Sequence, residues 1–177
     1  NRLTHALISS LEKDPKLLRS FICWSVEDVI PLKKRLYVIE QSVPNETETD
    51  ELIAGKRGLP DAWIYTDDGW SLVIESKVAA HVSFDQLKRH QETAAERGFI
   101  QSKLLVIDIS RKKHIPFPGV YTKTWREIYE WGIGHIKQSD WARFFTGYFE
   151  AAETRMVHEK YLKEGTLTKF TGIPFNN

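Results

Sequence analysis

Along the chain the spacing of apolar positions runs from helical to alternating and back to helical. Leu3, Ala6, Leu7 and Leu11 recur at helical spacing over residues 2–13, which predicts a first helix with one face on a core. Asp14-Pro15 reads as an N-cap and first-turn proline opening a second short helix to about residue 22. Residues 35–43, with Leu36, Val38 and Gln41, alternate as a first strand. A helix opens at Ser83 with Phe84, Leu87, Ala94 and Ala95 as its apolar stripe. Residues 103–110, Lys-Leu-Leu-Val-Ile-Asp-Ile-Ser, are nearly continuously apolar and predict a central buried strand. Because a helix separates that strand from the one before it, the two form a βαβ crossover and a parallel pair. From Thr124 the pattern is helical: Trp125, Ile128, Tyr129 and Trp131 predict a helix ended by Gly132 and Gly134. Asp140 then reads as the N-cap of a long helix to about residue 163, with Trp141, Phe144, Phe145, Tyr148 and Met156. Residues 165–177 lack periodicity and read as an arm or a link to a further domain.

One stretch, residues 58–90, places charge where a strand should be apolar. It runs Gly-Leu-Pro-Asp61-Ala-Trp-Ile-Tyr, turns at Asp67-Asp68-Gly69, and continues Trp-Ser-Leu-Val-Ile-Glu75-Ser-Lys77-Val. Asp-Gly between two β-prone runs is a hairpin signal. In the second run Leu72, Ile74, Ser76 and Val78 share one face, while Val73, Glu75 and Lys77 share the other. Both flanks are apolar enough to predict burial on two sides, so Glu75 and Lys77 need a partner, a metal ion or a solvated cleft. A structural salt bridge between the two is the plain alternative.

Composition narrows the classes. The 177 residues, 41% hydrophobic and 28% charged, fit one ordinary globular domain with an appended helical part. A formal net charge of +1 confines any nucleic-acid site to a local patch. The single cysteine, Cys23, excludes an internal disulfide and a cysteine-based zinc site, which agrees with a reducing cytoplasm. No apolar run has membrane length. The ends of the sequence read as those of a piece of a longer chain.

Pro60-Asp61, a hairpin, Glu75-Ser76-Lys77 and then Gln86-Leu-Lys-Arg-His90 on the following helix, in that order, resemble the PD-(D/E)xK nuclease superfamily. The last element looks like the Gln-xxx-Tyr of the exonuclease-like branch, with His in place of Tyr. The resemblance implies a restriction-endonuclease-like fold, an α/β architecture of a central mixed sheet flanked by helices. That core occupies residues 1–120, with a helical C-terminal extension over 121–177. It implies a Mg2+-dependent deoxyribonuclease, more endonuclease than exonuclease, with Mn2+ able to substitute. Asp61, Glu75 and the carbonyl of Ser76 would hold the metal. Lys77 would position the attacking water, and Gln86 would join the catalytic set. Arg57 and His90 would contact nucleic acid. DNA is the implied partner, a homodimer would match the two strands that a duplex offers for cutting, and defence against foreign DNA or repair is the implied setting.

Other readings stand beside these. Ser83 and Gln86 also form a capping box, a structural reason for Gln86. His90 reads equally as a hydrogen-bonded histidine at the helix edge. Lys56 and Arg57 read as phosphate contacts or as solvated loop charges, and the basic loop over 111–119 likewise. Superfamily members often supply an acid from the first helix; the acid here is Glu12, near the helix end, which reads as a surface charge. Glu40 could face the cleft or the surface. A nuclease fold that only binds DNA or a protein partner is the alternative function.

Overall fold

The computed structural model describes residues 2–44, 59–78, 83–109 and 118–169. Helices α1 (Arg2–Lys13) and α2 (Pro15–Val26) precede strands β1 (Tyr37–Glu40), β2 (Ala62–Tyr65) and β3 (Trp70–Ser76). Helix α3 (Phe84–Glu96), strands β4 (Gln101–Asp108) and β5 (Val120–Thr124), and helices α4 (Trp125–Ile133) and α5 (Asp140–His158) follow. The five strands form one mixed sheet in the order β1-β2-β3-β4-β5. The first three are antiparallel neighbours, while β3–β4 and β4–β5 are parallel.

Alternation along the central strands separates two cores. Leu72 and Ile74 of β3 and Leu105 and Ile107 of β4 pack under α1, α2, α4 and α5. Val73, Leu104 and Val106 face the other way with Trp63, against Leu87 and Ala94 of α3. Every residue of β3 is buried, which is why its pattern has no solvent face. The hairpin turns through Gly69 at φ +89°, a left-handed conformation that glycine adopts without strain. Thr66 N–H bonds the Trp70 carbonyl at 3.0 Å and closes the loop.

Asp14 caps α2, accepting from the amides of Lys16 and Leu17 at 3.1 and 3.0 Å. Its other oxygen accepts from Ser139 Oγ at 2.5 Å, so two helix starts are tied together. Ser139, not Asp140, is the N-cap of α5, because its hydroxyl meets the Ala142 amide while Asp140 stands in the exposed first turn. That helix ends at His158, not near residue 163. Helix α2 runs four residues past the expected end, to a left-handed cap at Glu27.

Strand β5 was not expected from the pattern, nor was the capping box that opens α4, where Thr124 and Glu127 satisfy each other's backbone amides. Gly132 does not end that helix. It lies inside it, where a Cβ would meet the ring of Phe145 of α5 at 2.4 Å. Leu167, expected in an arm, is fully buried, and its amide donates to the buried Glu153 carboxylate at 2.7 Å.

Candidate active site

The β2–β3 register runs from Tyr65↔Ser71 to Ala62↔Ile74. One further step sets Asp61 opposite Glu75, at the end of the hairpin away from its turn. The Asp61 carbonyl accepts from Gln41 N–H at 3.2 Å, which holds β1 against the same end. Asp61 Oδ2 accepts two hydrogen bonds from Ser76, from N–H at 2.8 Å and from Oγ–H at 2.6 Å. Among the described residues Asp61 Oδ1 carries no hydrogen bond. Asp61 also lines an open cleft of about 270 Å³ with Arg2, Thr4, His5, Glu40 and Gln41.

Glu75 is 2% exposed, yet it is ionised. Burial pushes its carboxyl up. The hydrogen bonds from His90 and Lys77, with the Lys77 charge, more than offset that and hold it below the ordinary glutamate range. Lys77 Nζ lies 2.5 Å from Oε1, and His90 Nε2 lies 3.1 Å from Oε2. Since a carboxylate only accepts, Nε2 carries the proton of that bond. Lys77 is itself fixed through its backbone. Its N–H bonds the Ile107 carbonyl at 2.8 Å, and its carbonyl accepts from Trp125 Nε1 at 3.1 Å.

Thus Asp61, Glu75, Ser76, Lys77 and His90 come together at one end of the sheet. His90, expected to contact nucleic acid, is 3% exposed and faces Glu75, so it stands behind the carboxylate. Gln86 sits one turn before His90, half-buried, and its backbone N–H donates to Ser83 Oγ at 3.1 Å, so Ser83 is the N-cap; the reciprocal bond from the Gln86 side chain that would complete a capping box is absent among the described residues. No hydrogen bond among the described residues joins its side chain to the cluster. Arg57 and Lys56 lie outside the described residues, as do 111–117 of the basic loop. Glu12 is at the far end of α1, eight residues from Thr4 and about 12 Å along the axis. Glu40 does line the cleft, where His5 Nδ1 pairs with its Oε2 at 2.8 Å.

No family model, curated protein or solved structure matches this chain. The site has to be judged on its chemistry. Among the described residues no three His, Cys, Asp or Glu side chains converge as a metal cage. Magnesium does not require one: it takes hard oxygen ligands, keeps several waters and often binds one or two carboxylates together with a substrate phosphate. Asp61 Oδ1, the ionised Glu75 and the Ser76 carbonyl are oxygen donors around one residue, so the donor set fits. Helices long and apolar enough to cross a membrane are absent among the described residues.

Proposed function

We propose that this chain is a restriction-endonuclease-like, metal-dependent nuclease that hydrolyses DNA phosphodiester bonds. The observation that carries the reading is the strand register that sets Asp61 opposite Glu75, with a half-buried Lys77 ammonium held at that buried carboxylate. A hairpin does not ordinarily end on three clustered ionisable groups, one of them, Glu75, buried. Asp61, Glu75 and the Ser76 carbonyl would hold Mg2+, or Mn2+ in its place. Bound there, such an ion would supply a water of lowered pKa and offset charge on the phosphate. Lys77 keeps a cation where the phosphate arrives and orients the nucleophilic water. His90 fixes Glu75 from behind and preserves its charge.

The test is incubation of purified protein with supercoiled plasmid, with Mg2+, with Mn2+ and with chelator. Wild type is expected to nick or linearise the plasmid only with metal. Lys77→Ala should cut at least ~100-fold more slowly, in keeping with the typical size of an acid–base contribution. Asp61→Asn should lose activity while keeping its circular dichroism spectrum. Equal cutting by all three proteins would overturn the reading. A second reading, a nuclease fold that only binds DNA or a protein, is favoured by one feature: both Glu75 oxygens are already engaged, by Lys77 and His90. It expects no cleavage in any lane from a folded protein.

A further inference from the structure

Helix α1 reaches the carboxylate cluster through a hydroxyl. Thr4 Oγ1 lies 2.5 Å from Ser76 Oγ, and Ser76 Oγ donates to Asp61 Oδ2 at 2.6 Å. Both hydroxyl residues are buried, Thr4 to 3% and Ser76 to 4% exposure. The direction of the chain is fixed by its end. A carboxylate only accepts, so the one hydroxyl proton of Ser76 is committed to Asp61. Ser76 Oγ can then only accept from Thr4, and the order is Thr4 O–H to Ser76 O–H to Asp61. Bonds in such a series polarise one another, more so away from water.

Asp61 Oδ2 is therefore saturated by two Ser76 donors, and Oδ1 is left for the cleft. From this geometry we propose that Thr4 is a positioning residue. Acting through Ser76, it locks the Asp61 carboxylate with Oδ1 presented as the ligating oxygen. The proposal rests on the reading of Asp61 as a metal-holding carboxylate. It assigns α1 a role that its own acid, Glu12, is too distant to fill.

The experiment uses Thr4→Val, which keeps the shape of the side chain and removes the hydroxyl, with Thr4→Ser as the conservative variant. Mn2+ affinity is read from the free-ion EPR signal without nucleic acid. The Asp61 carboxyl carbon is read by NMR in metal-free, Asp-labelled protein, assigned by its loss in Asp61→Asn. Partners that orient a metal ligand are typically worth 10–100-fold in affinity. Thr4→Val is expected to weaken Mn2+ binding about tenfold and to shift the Asp61 resonance, and Thr4→Ser to restore both. On a Ser76→Ala background, where the chain is already cut, Thr4→Val should change neither. A purely structural Thr4 would act on both backgrounds.

Unaltered affinity and an unaltered Asp61 resonance in Thr4→Val would overturn the proposal. So would an equal effect of Thr4→Val with and without the Ser76 hydroxyl. If wild type takes up no Mn2+, the metal reading itself falls. The Asp61 resonance then decides the positioning alone: a shift in Thr4→Val reversed in Thr4→Ser supports it, and no shift overturns it.

Discussion

Lys77→Met removes the ammonium from Glu75 and keeps most of the aliphatic stem. The Lys77 side chain is 22% exposed and that of Glu75 only 3%, so the pair is largely shielded from water. Breaking a buried pair by deleting one partner typically costs 3–5 kcal/mol, because the remaining charge stays buried. Here His90 still donates to the other carboxylate oxygen at 3.1 Å. The cost should therefore approach that of one charge-assisted hydrogen bond, roughly 2–3 kcal/mol. For a chain of this size that lowers Tm by about 5–10 °C. The pH dependence has a definite sign. Glu75 titrates below its ordinary value when folded, so its contribution is present above the unfolded glutamate pKa, about 4.3. It is lost as pH falls through the lower folded value. Urea unfolding of wild type and Lys77→Met between pH 3.5 and 8 should show a gap that is full at pH 7 and shrinks below about pH 4. Adding Glu75→Gln, which removes the stranded charge, should recover part of the loss. Equal stability at pH 7 would refute the claim that the pair holds this end of the sheet. A gap of constant size across pH would show that the loss is one of packing.

Two further outcomes test the framework. Gly→Ala within a helix ordinarily stabilises by up to about 1 kcal/mol, but at Gly132 the new methyl would meet Phe145 at 2.4 Å and Thr146 at 2.7 Å. Gly132→Ala should instead destabilise by ~1–3 kcal/mol in urea melts, and an unchanged or raised midpoint would refute the close approach of α4 and α5. Burial first, and then the hydrogen bond to Glu150 at 2.5 Å, push the Tyr129 phenol up to about 12. In an absorbance titration a late-ionising tyrosine should be missing from Tyr129→Phe and should ionise earlier, though still above the ordinary value because burial remains, in Glu150→Gln; stability should fall as pH rises from the unfolded value of about 10.

What could be read from the sequence was local and periodic. Period-two alternation assigned Leu72 and Ile74 to one face of β3 and Val73 to the other, as the two cores show. The Asp-Gly turn and the β3–α3–β4 crossover followed from equally short-range rules. What escaped falls into two kinds. Strand β5 is five residues long, two of them threonine, next to a proline-rich loop, so it lacks an apolar run; yet Thr124 and Glu127 spell a capping box that was there to be read. Gly132 looked like a helix terminator because sequence does not tell a breaker from a glycine needed for helix contact.

The second kind is long-range, and it matters more for the site. Thr4 and Ser76 are 72 positions apart, and nothing in either neighbourhood signals that their hydroxyls meet. Ser76 was legible as a residue on the face of Leu72 and Ile74, and the resemblance gave a role only to its carbonyl. Its side chain turns out to govern Asp61, and its amide shares the work. His90 shows the same limit from the other direction. Its spacing from Gln86 placed it on a helix face, but only the packing of α3 on β3 decides whether that face meets a phosphate or a carboxylate. With Glu75 buried and charged, the carboxylate has the stronger claim. An ionised group without water needs a donor at each oxygen, and Lys77 reaches only one of the two. A histidine proton at the other oxygen is therefore a requirement set by the burial of Glu75.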